Sequence, residues 1–207
     1  MVEALIRGEQ GPQQIAELAR GQLRKKKEEL RLALDGKISD RHRFLLNKIL
    51  EHIRWLDDEI RAIDTQIGAA MKPYEQEWRL VQTIPGMDEI NTAMLLIETG
   101  VDMSRFGSKE RISSWAGMCP GNDQSAGKRM SGRMPKGNPY VRAILCEAAN
   151  SARKTDTQFK GLYKGLVIRR GHKRAVMAIG HRILETIYIL LTRKEPYRDR
   201  TIDYEAL

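Results

Sequence analysis

From Ile49 to Ile67 the apolar residues Ile49, Ile53, Leu56, Ile60, Ile63 and Ile67 recur at alternating spacings of four and three. That period is the seam of a helix burying one narrow stripe against another helix; a strand, whose side chains alternate with a period of two, cannot present it. Residues 40–72 are therefore expected to form one long helix that needs a partner. Upstream, Gln13 to Leu34 is rich in Ala, Leu, Glu, Lys and Arg and free of proline, which predicts a helix, and Asp35-Gly36 supplies its stop. Two readings follow. The segments could close as an intramolecular helical hairpin, or the seam could zip against a second chain as a coiled coil and make a homo-oligomer.

Pro73 ends the long helix, and a short helix to Gln82 leads into the next unit, so the chain divides into a helical linker or coiled-coil region, 1–74, and a C-terminal domain, 75–207. The run Thr83-Ile-Pro-Gly-Met-Asp88 before the apolar pattern Ile90, Ala93, Met94, Ile97 resembles half of a helix-hairpin-helix, in which a Pro-Gly turn aims backbone N–H groups at phosphate. Asp88 stands where a glycine is usual; its carboxylate repels phosphate but suits a helix N-cap, so a structural turn and a DNA contact both stay open. Helices are expected through Trp115, over Pro139 to Ser151 and Phe159 to Arg169, and over His172 to Thr192. The last should bury Ala175, Val176, Ile179, Ile183, Ile187, Leu190 and Leu191. With no alternating strand pattern of useful length, the fold class is all-α: a helical hairpin or coiled coil, then a compact helical domain with a helix-hairpin-helix-like start and a long basic loop.

The chain carries a formal charge of +9, unevenly placed. Lys128 to Arg182 holds 14 Lys or Arg against only Glu147 and Asp156, a local +12, while the remainder sums to −3. A field so concentrated points to a polyanionic partner held by counterion release, DNA or RNA, rather than to an evenly solvated surface. The cysteines Cys119 and Cys146 and the histidines His42, His52, His172 and His181 lack metal-ligand spacing, so no metal is assigned. No apolar run approaches the roughly 20 residues of a bilayer span, and Met1 to Gln10 lacks the pattern of a signal peptide, so a cytoplasmic protein without membrane contact is expected.

Between helical segments, Gly117 to Asn138 is a run of 22 residues crowded with Gly, Pro, Ser, Lys and Arg. Such a length is functional more often than connective. It sets Ser125 beside Gly127 and within a few residues of Lys128, Arg129, Arg133 and Lys136. A serine needs a base or a stabilised transition state to act as a nucleophile, and cations around a phosphoryl group supply the latter. No histidine is near in sequence, which leaves a hydrolase triad unsupported. On these residues alone, a phosphate-binding loop and a catalytic loop both fit.

The motif Ser-Trp-Ala-Gly-x-x-Pro-Gly-Asn-x-x-Ser-Ala-Gly-Lys-Arg, followed by Lys-Gly-Asn-x-x-x-Arg, resembles the C-terminal transposase domain of the IS110 family of insertion sequences. The resemblance extends through Thr83-Ile-Pro-Gly, Ile97-Glu-Thr-Gly, Arg169-Arg-Gly-His-Lys-Arg-Ala and His181-Arg-Ile-Leu, and residues 1–72 resemble the coiled-coil linker before it. It implies that Ser125 attacks the DNA backbone and forms a covalent phosphoserine link. It also implies guidance by a structured bridge RNA, while the local charge of +12 sets the expected nucleic-acid contacts at Gly127, Lys128, Arg129, Arg133, Lys136, Arg142, Arg169, Arg170, Lys173 and Arg174. The family's RuvC-like half, whose four acidic residues bind a divalent metal such as magnesium, has no counterpart before residue 40. The expectation is thus an incomplete, weakly active or inactive recombinase domain with no cofactor of its own. The competing expectation is a non-catalytic module that dimerises and binds nucleic acid; a helix-hairpin-helix repair protein would leave the serine loop unexplained.

Overall fold

The computed structural model describes residues 1–8, 11–36, 38–119, 123–125, 128–131, 135–199 and 201, with residues 123–125 and 128–131 described by their backbone. The fold is all-α, as expected, and divides into two compact units, Met1–Thr65 and Gln66–Leu207.

In the first unit, α1 (Val2–Arg7) and α2 (Pro12–Glu17) precede a 3-10 turn at Gly21–Lys26 and α3 (Lys27–Leu34). The continuous helix expected over Gln13 to Leu34 is thus broken. Gly21 adopts φ +59, a left-handed conformation that ends a helix, and it sits inside a run whose composition otherwise favours one. Ile15, Ala16 and Ala19 are buried, and Lys27 pairs with Glu17 across the break. The long helix α4 (Asp40–Met71) forms as the heptad predicts. Its guanidinium from Arg43 donates to the Leu5 carbonyl, and Arg54 pairs with Glu3. Its seam, however, has no cover: Ile49, Ile53, Leu56, Ile60 and Ile63 are all exposed. The intramolecular hairpin is therefore not what buries the stripe. α4 runs through the division, and Met71 and Ile67 pack into the core of the second unit.

The second unit is assembled around α10 (His172–Arg193). Every residue expected to be buried there is buried, together with Leu184 and Gly180. α10 is long and apolar enough to pass for a membrane span by length and composition, yet this face is the core of the unit. Packed on it are α8 (Pro139–Ala152) through Val141, Ile144, Leu145 and Ala148, α7 (Lys109–Trp115) through Ile112, α9 (Gln158–Arg170) through Phe159, and α5 (Glu75–Gln82) through Val81. α6 (Glu89–Thr99) packs on α5 and α8. Gly180 permits a close approach of α8, since a Cβ there would lie 2.9 Å from the Met118 methyl and 3.1 Å from the Leu145 carbonyl oxygen.

The α5–α6 turn packs against the core. Gly86 has φ +90, and a Cβ on it would fall on the Ala148 carbonyl oxygen of α8, so the Pro-Gly turn is pressed against the core. Asp88 caps α6, its Oδ1 accepting from the Asn91 N–H at 2.8 Å. After α10, the segment Lys194 to Asp199 straps back across the unit. Lys194 pairs with Glu77, the Tyr197 N–H donates to Thr83 Oγ1 at 2.9 Å, and the Tyr197 ring stacks on Phe159.

Candidate nucleic-acid interface

The basic loop leaves α7 at Ala116-Gly117 and enters α8 at Gly137-Asn138, and the structure brings these two ends together. Gly117 has φ +67, and a Cβ on it would lie 2.8 Å from the Gly137 amide and 2.9 Å from the Pro135 carbonyl oxygen. A Cβ on Gly137 would in turn strike the Gly117 amide and the Ala116 carbonyl. The two backbones therefore touch at a neck that only glycine allows. Asn138 fixes the exit: its Oδ1 accepts from the Tyr140 and Val141 N–H groups, capping α8, while its Nδ2 donates to Glu98 Oε2 at 2.6 Å. Pro139 at the first helical position completes a pattern legible in the sequence. Buried Ala116 and Met118 fix the start.

Within the loop, β1 (Asp123–Ser125) pairs antiparallel with β2 (Lys128–Ser131). The register sets Ser125 opposite Lys128, Gln124 opposite Arg129 and Asp123 opposite Ser131, with an irregularity between Asp123 and Gln124. Sequence alternation could not have signalled strands of three and four residues. The pairing holds Ser125, Lys128 and Arg129 in one small hairpin. Gly127 and Arg133 lie outside the described residues. Lys136 is exposed beside the neck, and Arg142 is half-buried in the first turn of α8.

The remaining candidates gather elsewhere. Arg169 and Arg170 end α9, and Lys173 and Arg174 begin α10, all four exposed around Gly171. Among the described residues no hydrogen bond or ion pair links this corner to the loop. The corner also holds a constellation that sequence spacing did not reveal. The Tyr163 hydroxyl and His172 Nδ1 are 2.9 Å apart, and the Arg153 guanidinium lies over the Tyr163 ring, 4.8 Å from its centre. Only the fold juxtaposes these three side chains, so no local motif could have found them.

Competing nucleophiles are poorly placed. Burial pushes the Cys119 thiol up, and the carboxylates of Glu185 and Glu110 push it further; burial also raises Cys146, more than Arg142 lowers it. Both thiols are thereby kept from the reactive thiolate form at neutral pH. Among the described residues no group of three or more His, Cys, Asp or Glu comes together to hold a metal ion.

The helical domain thus carries a basic, serine-bearing hairpin at a glycine neck and a second basic corner where α9 meets α10. Residues 78–164 match the family model for transposases of the IS116/IS110/IS902 family. The chain carries an IS110-family transposase domain. It is 30% identical over 179 residues to the transposase for insertion sequence element IS1111A of Coxiella burnetii, a match covering 83% of this chain and 49% of that protein. It is 29% identical over 156 residues to the insertion element IS900 uncharacterized 42 kDa protein of Mycobacterium paratuberculosis, covering 70% of this chain and 39% of that protein. The chain thus spans half or less of the length of these curated relatives.

Proposed function

We propose that this chain is part of a DNA transposase in which the Ser125 hydroxyl is the nucleophile for strand cleavage and religation. The observation that carries the reading is the pinned hairpin, which holds the backbone of Ser125 opposite Lys128 at the end of a loop closed by Gly117 and Gly137. In the proposed step the serine Oγ forms one ester bond to phosphorus while one P–O bond of the DNA backbone breaks. The serine hydroxyl gives up its proton as the departing sugar oxygen takes one up, and the reverse exchange frees the serine and reseals a strand. Because one phosphate ester replaces another, no external energy source is needed. The cations of Lys128, Arg129, Arg133 and Lys136 would stabilise the charge that grows on the phosphoryl oxygens.

The described residues of this chain offer no carboxylate cluster for a divalent metal. A magnesium-binding, RuvC-like part would come from residues outside this chain. A structured guide RNA belongs to the same proposal, with the basic loop and the α9–α10 corner as contact surfaces. A homo-oligomer through α4 is supported by its uncovered seam.

The test is reconstitution with a matching RuvC-like half, magnesium, candidate guide RNA and labelled DNA. Ser125→Ala is expected to abolish a covalent protein–DNA adduct and leave salt-dependent binding within about twofold, since only one hydroxyl is lost. Ser131→Ala, in the same hairpin, should change neither. An adduct that survives Ser125→Ala contradicts the assignment, and an absence of adduct from the complete wild-type system favours a non-catalytic binding module.

A further inference from the structure

We infer that the face of α9 opposite Phe159 is a seat for the sugar-phosphate backbone of duplex DNA. The inference rests on the nucleic-acid reading above and assigns a specific surface to it.

α9 is a 13-residue helix whose only fully buried side chain is Phe159. At 100° per residue, Gly161, Gly165 and Ile168 share the face turned away from Phe159. Ile168 is 87% exposed, the most exposed large apolar side chain among the described residues. At Gly161 and Gly165 a Cβ would meet nothing within 4 Å, and neither has a left-handed φ. Backbone conformation and internal packing therefore explain neither glycine, in contrast to Gly180, which α8 and Met118 require. Glycine within a helix is unfavourable by about 1 kcal/mol relative to alanine, so two on one open face weaken α9 without any return from within the unit. What they provide is a strip where a partner's backbone can approach closely.

Charge decides which partner. Lys164 flanks the strip on one side, and Arg169 flanks it on the other, its Nε donating to the Gly165 carbonyl at 3.3 Å. Arg170, Lys173 and Arg174 continue the field beyond the end of the helix, and among the described residues none of these five cations is in an ion pair. A second copy of this face would set like charges against each other, whereas a phosphate backbone complements them. Ile168, alone and apolar amid cations, is suited to pack on sugars or wedge at a groove, as apolar side chains of DNA-bending proteins do. Family membership makes DNA the polyanion.

The test uses the full chain, a labelled mixed-sequence duplex and a stem-loop RNA, with Kd read by anisotropy over a salt series, Tm by circular dichroism and mass by sedimentation. Replacing both glycines with alanine (G161A and G165A) should raise Tm by several degrees and weaken duplex binding several-fold, because two methyl groups enter the strip. Replacing both with glutamine (G161Q and G165Q) should also raise Tm, because glutamine is a good helix former, but should weaken duplex binding about tenfold or more at unchanged mass. Duplex binding as tight as wild type by the glutamine variant overturns the inference. So does a loss confined to the stem-loop RNA, which would make α9 an RNA surface, or a change of mass, which would make it a protein contact. If wild type itself shows no salt-sensitive duplex binding, the nucleic-acid reading fails first and this inference falls with it.

Discussion

Asp88, Ser108 and Asn138 each cap a helix from the position immediately before it, which is why local sequence rules find such residues. Asp199 does the same work from a distance. Thr157 precedes α9 but provides no side-chain cap; instead the Gln158 N–H donates to the Asp199 carboxylate, 41 residues away. No pattern in the sequence marks that contact. Burial would raise the Asp199 carboxyl, but the Thr201 hydroxyl and N–H, the Gln158 N–H and the Tyr197 hydroxyl outweigh it and hold it below the usual aspartate range. A carboxyl depressed in the folded state stabilises the fold above its unfolded-state value, near pH 3.9, and loses that contribution as pH falls through the lower folded value. Asp199→Ala should therefore cost about 1–3 kcal/mol at pH 7, and the gap in Tm from wild type should narrow as pH drops below about 4. A gap that is constant from pH 7 to pH 2 would contradict this. Gly137→Ala is expected to force the neck open, costing about 1–3 kcal/mol and speeding tryptic cleavage at Lys128 and Arg129. Unchanged cleavage rates would mean that the glycine contact does not hold the loop.

Long elements with strong periodicity were legible. α4 ends within a residue of its expected limit, and α8, α9 and α10 agree to within a residue at each end. Two failures have physical causes. Gly21 interrupts a composition that favours helix, since one left-handed residue outweighs the summed propensity of its neighbours. The loop hairpin is too short for alternation to register. The partner of the seam was left open by the sequence, and the structure leaves the stripe uncovered within the single chain. Because Ile53 is 48% exposed and Ile60 is 55% exposed in the single chain, Ile53→Asp with Ile60→Asp should leave helicity and Tm nearly unchanged at protein concentrations too low for self-association, a shift of about 0.5 kcal/mol per site or less. The same pair should abolish self-association in sedimentation. A wild-type chain that is monomeric at every concentration would refute the coiled-coil proposal.

For the molecule as a whole, the fold class, the core face of α10 and the family were within reach of the sequence, because each rests on periodicity or on a continuous motif. The neck, the Tyr163–His172–Arg153 cluster and the open face of α9 were not, because each depends on residues that only the fold juxtaposes. The charge bias of the second unit ties the two levels together: it was countable at the outset, and the structure distributes it between the pinned loop and the α9–α10 corner. Whether Ser125 is the residue that joins DNA is tested most directly by mass spectrometry of the adduct. After nuclease and trypsin treatment, Ser125 falls in the peptide Ile112–Lys128 and Ser131 in Met130–Arg133. A nucleotide mass on the first peptide, localised by fragmentation to Ser125 rather than Ser113 or Ser114, is the predicted result. A nucleotide on Ser131, on Tyr163 or on any other side chain would contradict it.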